Sequence, residues 1–290
     1  MGLIIKSLVL SLPVMARMIL PILGIFLASI VVWIVADIIT LGYASHVSQP
    51  VTAMFIAMVG IRAALGLMGE RQHVDWRVLG ALSVAFGIAL LLAKKALVIL
   101  AIVIAVLVSE WHLSDIGSLF TLETAEESVS RQFELHLLSI TAGLSFLFLV
   151  AAPVAMAVPI AAGAHSAGSG ARHYGFFEGF AKSFVPLFIV FAVAYFLMFF
   201  FSLAAQLYGF ITMLYAIIAV LGDPQDFQMI QAENIFRAVV SCLGLLWLHA
   251  WTWSASALAF AKFKGKAEAQ RVAVQAPSPV DLRALRKARS

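Results

Sequence analysis

Six runs of mostly apolar residues, each near the length a helix needs to cross a bilayer, constrain this chain more than any other feature. They cover residues 18–41, 51–68, 78–94, 137–163, 183–204 and 237–261. A spanning helix needs about 20 such residues, set by a hydrocarbon core of about 30 Å and a helical rise of about 1.5 Å per residue. In lipid a backbone must satisfy its own N–H and C=O groups, so apolar runs of this length are helical. The predicted fold class is therefore all-α: a polytopic transmembrane helical bundle of about six spans, occupying residues 1–261. Composition excludes the soluble alternative. Of 290 residues, 63% are hydrophobic and 12% charged, with mean hydropathy +1.02, whereas a soluble domain carries about 25% charge to cover its exterior.

Two further apolar stretches, 96–109 and 207–221, follow spans directly. Lys94 and Lys95 separate the first from its span, and Gln206 and Gly209 mark the corresponding place in the second. Both are short for a crossing. They are expected as two half-length segments lying at, or re-entering, the outer face; the rival arrangement has both crossing, giving eight spans. At the start of the chain, Arg17 interrupts the apolar run that follows Lys6, and the next run is too long for the core of a signal peptide. Residues 3–16 are read as an amphipathic interfacial lead-in to the first span.

Basic residues in short loops set orientation. With six spans, loops 69–77 and 164–182 lie beside the termini and carry Arg71, Arg77, Arg172 and Lys182, with Arg62 just before the first. The opposite loops, 42–50, 110–136 and 222–236, hold Arg131 alone against nine acidic residues. Both termini are thus expected in the cytoplasm. Eight of the nineteen Lys and Arg residues fall at or after Lys262. Residues 262–290 read as a basic, disordered cytoplasmic tail, in which Arg283, Arg286, Lys287 and Arg289 would meet anionic headgroups or a partner. The partners expected are membrane lipids and other membrane-protein subunits, and no nucleic acid.

Little in the chain points to catalysis. Cys242 is the one cysteine, and no Cys/His metal spacing, H-E-x-x-H, G-x-S-x-G or phosphate-binding G-x-x-x-x-G-K-[S/T] occurs. The Gly- and Ser-rich stretch from His165 to Gly175 reads as a turn. No enzyme activity, cofactor or metal is expected. Two intramembrane residues are candidates for a polar site. His249 lies mid-span between Trp247, Trp251 and Trp253, and ionisable groups inside a span mark functional sites. Its plainer reading is a neutral, packed histidine hydrogen-bonded to another helix, and haem ligation lacks a second histidine at similar depth. Asp37, near the outer end of the first span, is either an interfacial acid reached by water or a substrate or cation contact, with Lys94 and Lys95 as available partners. Pro153, Pro159 and Pro186 can kink their helices.

Val59-Gly60-Ile61-Arg62-Ala63-Ala64 and Val158-Pro159-Ile160-Ala161-Ala162-Gly163 each end a span before the same order of elements. This is the pattern of a parallel internal repeat about an axis normal to the membrane, with spans 237–261 and 18–41 as a third, permuted pair. That order of elements, with Ile61-Arg62-Ala63-Ala64, Phe177-Glu178-Gly179-Phe180 and Ala257-Leu258-Ala259-Phe260-Ala261-Lys262, resembles bacterial six-helix membrane proteins such as the membrane domain attached to some glycerophosphodiester phosphodiesterases. The resemblance implies a multi-pass protein of the bacterial inner membrane and transfers no enzyme activity, because the catalytic domain is not part of it. The function expected is a non-enzymatic subunit or scaffold of a larger inner-membrane complex, since few charges lie within the spans; the alternative is a transporter or lipid-handling permease.

Overall fold

A computed structural model of the chain describes residues 2–70, 73–108, 127–167, 180–221 and 228–275. Within them lie six helices and no strand: α1 (Gly2–Ile39), α2 (Ser45–Leu67), α3 (Trp76–Val108), α4 (Glu127–Ser166), α5 (Phe180–Leu221) and α6 (Gln228–Gln275). All six are long and apolar enough to cross a membrane.

The helices are longer than the apolar runs predict. Residues 96–104 continue α3 without a break at Lys94 and Lys95, and residues 207–221 continue α5 through Gln206 and Gly209. The two half-length segments are therefore helical extensions rather than separate re-entrant elements. Alternating polar and apolar residues do not end a helix when no Pro or positive-φ Gly intervenes. The expected lead-in at 3–16 is likewise the first part of α1, which passes Arg17 intact. At the other end, α6 runs past Lys262 to Gln275 where a disordered tail is expected; Ala, Lys, Glu and Gln are strong helix formers. Residues 276–290, with Arg283, Arg286, Lys287 and Arg289, lie outside the described residues.

The packing has a simple order. Helices α2, α4 and α6 all contact one another, while each of the others sits outside between two of these: α3 between α2 and α4, α5 between α4 and α6, α1 between α6 and α2. The three inner helices share a C-terminal end, where Glu70 after α2, His165 of α4 and Lys264 of α6 meet. Small residues permit this closeness. Along α4, Ala157, Ala161, Ala162 and Ala164 are buried, and short side chains let neighbouring backbones approach where lipid offers no hydrophobic drive for helix association. At Gly87 of α3 a Cβ would lie 3.0 Å from the Val51 Cα of α2, so backbone meets backbone there.

The first half of α1 is held by a periodic face. Ser7, Ser11, Val14 and Met18 are buried at helical spacing. The Trp247 indole donates to Ser11 Oγ at 2.9 Å, and that of Trp251 to Ser7 Oγ at 3.0 Å. Beyond Met18 the helix is mostly exposed, with Leu20 at 79% and Ile39 at 75%. An apolar surface of that extent on a helix belongs in lipid. Removing both hydroxyls, as Ser7→Ala with Ser11→Ala, leaves two indole donors unpaired in an apolar setting, at about 1–3 kcal/mol each. The doubly substituted protein should melt at a clearly lower temperature, followed by tryptophan fluorescence in detergent. Ser29→Ala, which removes an exposed hydroxyl bonded only to Phe26 O, should melt as the wild type does.

Candidate ligand cavity within the bundle

Short side chains on the inner helices do more than allow close approach; they leave space. Ala53 and Ala57 of α2 face Ala157 and Pro153 of α4 across a cavity of about 560 Å³, which α3, α5 and α6 also line. Volumes of about 300–1,000 Å³ suit small-molecule ligands.

Three polar side chains reach this cavity from different helices. Lys94 arrives on the inner face of α3, in register with buried Ser83 and Gly87 and with Leu90, at i, i+4, i+7 and i+11. Its ammonium lies 6.0 Å from the Tyr195 ring centroid, at the outer limit of a cation–π contact. Tyr195 stands on α5 and packs edge-on to Phe191 at 5.9 Å. His249 lies on α6, stacked on Trp253 with ring centroids 5.9 Å apart and planes inclined by 20°. His249 is exposed and lines the cavity wall. Thr252 and Ser256 complete the polar lining, but their hydroxyls donate to the carbonyls of His249 and Thr252, at 2.8 and 2.9 Å.

Hydrogen-bond donors outnumber acceptors among these three side chains. Lys94 brings three donors, Tyr195 an O–H and a neutral histidine one N–H. Among the described residues none of these groups has a protein hydrogen-bond or ion-pair partner, and no carboxylate lines the cavity. A cation held away from water without an anion is costly. The cavity is thus electrostatically complementary to an anion.

A second hollow of about 500 Å³ adjoins it. Gly209 and Thr212 of α5 and Ile235, Ala238 and Val239 of α6 form its apolar walls, and Ile22, Cys242 and Leu246 line both spaces. A third, of about 370 Å³, lies at the shared C-terminal end, with Arg17, Arg62, Glu70, Trp76 and His165 on its walls. Here Lys264 Nζ is 2.9 Å from Glu70 Oε2 and 3.5 Å from His165 Nε2, and Arg62 Nη1 donates to Ala164 O at 2.5 Å. Glu70 and Lys264 are 37% and 25% exposed, so their pair contributes no more than about 1 kcal/mol. It ties the ends of α2, α4 and α6 together.

The expected site residues are separated. His249 is in the cavity, but it stacks on a residue of its own helix and, among the described residues, its ring is not hydrogen-bonded to another helix. Asp37 is remote from it: its Oδ1 accepts from Ser45 N at 2.7 Å, satisfying a free N–H in the first turn of α2. Asp37 forms no ion pair with Lys94 or Lys95; Lys94 faces the cavity and Lys95 is exposed. Pro153 lines the cavity within a helix that continues through Pro159, and α5 continues through Pro186. Among the described residues no group of three His, Cys, Asp or Glu side chains is placed to hold a metal ion. Tyr195 is the residue that sequence reading missed, and there Lys94 reads only as a boundary and a partner for Asp37. The period that puts Lys94 in line with Ser83 and Leu90 was a usable signal, and Tyr195 carried none.

No protein-family model matches the chain, and neither the curated proteins nor the solved structures contain one significantly similar to it.

Proposed function

We propose that this chain is a lipid-handling permease: it takes an amphipathic molecule from the bilayer and shelters its polar end inside the bundle. The supporting observation is the cavity among α2–α6, with Lys94, Tyr195 and His249 on its wall and an apolar annex beside it. The scaffold reading rests on the scarcity of charge within the spans, and Lys94 changes that premise, because a scaffold has no use for a half-buried cation that has no ion-pair partner among the described residues. The order of packing also fits three parallel hairpins, α2–α3, α4–α5 and α6 with α1, and repeats around a central site are a transporter arrangement. We place the protein in a bacterial inner membrane with both termini in the cytoplasm, on the loop charges and the motif resemblance. We assign it no enzyme activity.

Two experiments test this reading. Purified protein in liposomes that carry single-chain NBD-labelled lipids should speed their movement between leaflets, measured as the fraction quenched by external dithionite; a rate equal to that of empty liposomes removes the permease function. For orientation, single cysteines at Ser128 and Ser278 in a Cys242→Ser background should label from opposite faces of intact cells. Labelling of both from one face contradicts the proposed topology.

A further inference from the structure

We infer that the cavity binds a long-chain fatty acid, with its carboxylate between Lys94, Tyr195 and His249 and its hydrocarbon chain in the groove between α5 and α6. The inference rests on the permease reading for its place in the membrane, and it names the ligand class.

Donors and charge define the head end. A carboxylate has about four lone-pair sites and no donor, which matches a lining of an ammonium, a phenol and an imidazole N–H. It carries one negative charge against the single cation on the wall. A phosphate carries up to about two, and stripping its larger hydration shell against one ammonium would leave charge unpaired. A neutral or zwitterionic headgroup leaves Lys94 without a counter-ion, or brings a second cation beside it.

Shape and continuity define the tail end. The groove opens from the cavity at Cys242 and Leu246 and runs along α6 to Ile235, a length of about 16 Å at the helical rise. The groove presents Gly209, Ala238 and Val239 to the hydrocarbon chain.

Cys242, exposed where cavity and groove join, is a built-in reporter. The experiment follows its alkylation by N-ethylmaleimide in the full-length protein in nanodiscs of zwitterionic lipid. Palmitate should slow the reaction saturably, hexadecanol should not, and lysophosphatidic acid should need a higher concentration than palmitate. Lys94→Met should raise the half-saturating palmitate concentration at least about tenfold, the worth of a charge-assisted hydrogen bond, while Lys94→Arg and the thermal midpoint stay near wild type. Tyr195→Phe should raise it less. If Lys94→Met fails to fold, the palmitate–hexadecanol comparison on the wild type decides alone. Equal protection by hexadecanol, stronger protection by lysophosphatidic acid, or an unchanged response in folded Lys94→Met would overturn the inference. Outcomes for the two readings separate cleanly: leaflet exchange without palmitate protection sinks the fatty-acid assignment and keeps the permease, and palmitate protection without transport does the reverse.

Discussion

A single methyl group on Gly60 should destabilise the bundle as much as many core truncations do. A Cβ at Gly60 of α2 would overlap the six-membered ring of Trp253 on α6, and a buried indole is not the loose end of a flexible chain. Trp253 is buried and stacked on His249, so it can yield only by pushing into the cavity or forcing α2 away. Overpacking of this kind costs about 1–3 kcal/mol, and Gly60→Ala belongs at the upper end. Gly66→Ala is the control: the same helix has open space there, and the change should be neutral or stabilising by up to about 1 kcal/mol. Thermal midpoints in one detergent compare the two. Adding Trp253→Leu to Gly60→Ala should recover part of the loss, because the two side chains compete for one volume. A Gly60→Ala protein as stable as the wild type would mean that α2 and α6 are not packed in this way.

Phe260→Ala should cost about 3 kcal/mol, the low end of the usual range for a buried phenylalanine. Phe260 is fully buried near the shared end of the inner helices, with its ring 5.3 Å from that of His165. In a membrane the transfer part of that cost is small, because lipid is as apolar as the core. What remains is the cavity and the lost dispersion contacts. Phe236→Ala, at 67% exposed, removes a side chain that faces outward and should change the midpoint little. Equal effects of the two substitutions would show that burial does not order the energetics of this bundle.

The class of fold was legible because hydropathy over some twenty residues reports directly on the solvent a helix needs. Its details depended on finer signals. The pair Lys94–Lys95 looked like a boundary because charges usually mark the membrane surface, yet the helix turns them to different sides: one to the cavity, one outward. Hydropathy averages over that turn, and the 100° step between neighbours is what separates them. Asp37 was correctly noticed as unusual, but its role is local, since a carboxylate beside a helix start finds free N–H groups within one turn. His249 and its tryptophans could be read as a cluster, whereas Tyr195 meets them only through packing between α5 and α6. No pattern within one segment encodes that meeting.

The grip of α6 on α1 has a consequence for the order of assembly. Trp251 and Ser7 are 244 residues apart in sequence, and Trp247 and Ser11 are 236 apart. At about 5–20 residues per second, a ribosome needs roughly 10–50 s to make the intervening chain. Through that time α1 is complete but has no indole to accept from, and α2 and α4 lack the third member of their triangle. The bundle therefore closes late, from its last helix back onto its first. Truncations or stalls that remove α6 leave an open, proteolysis-prone intermediate, however intact the preceding five helices are.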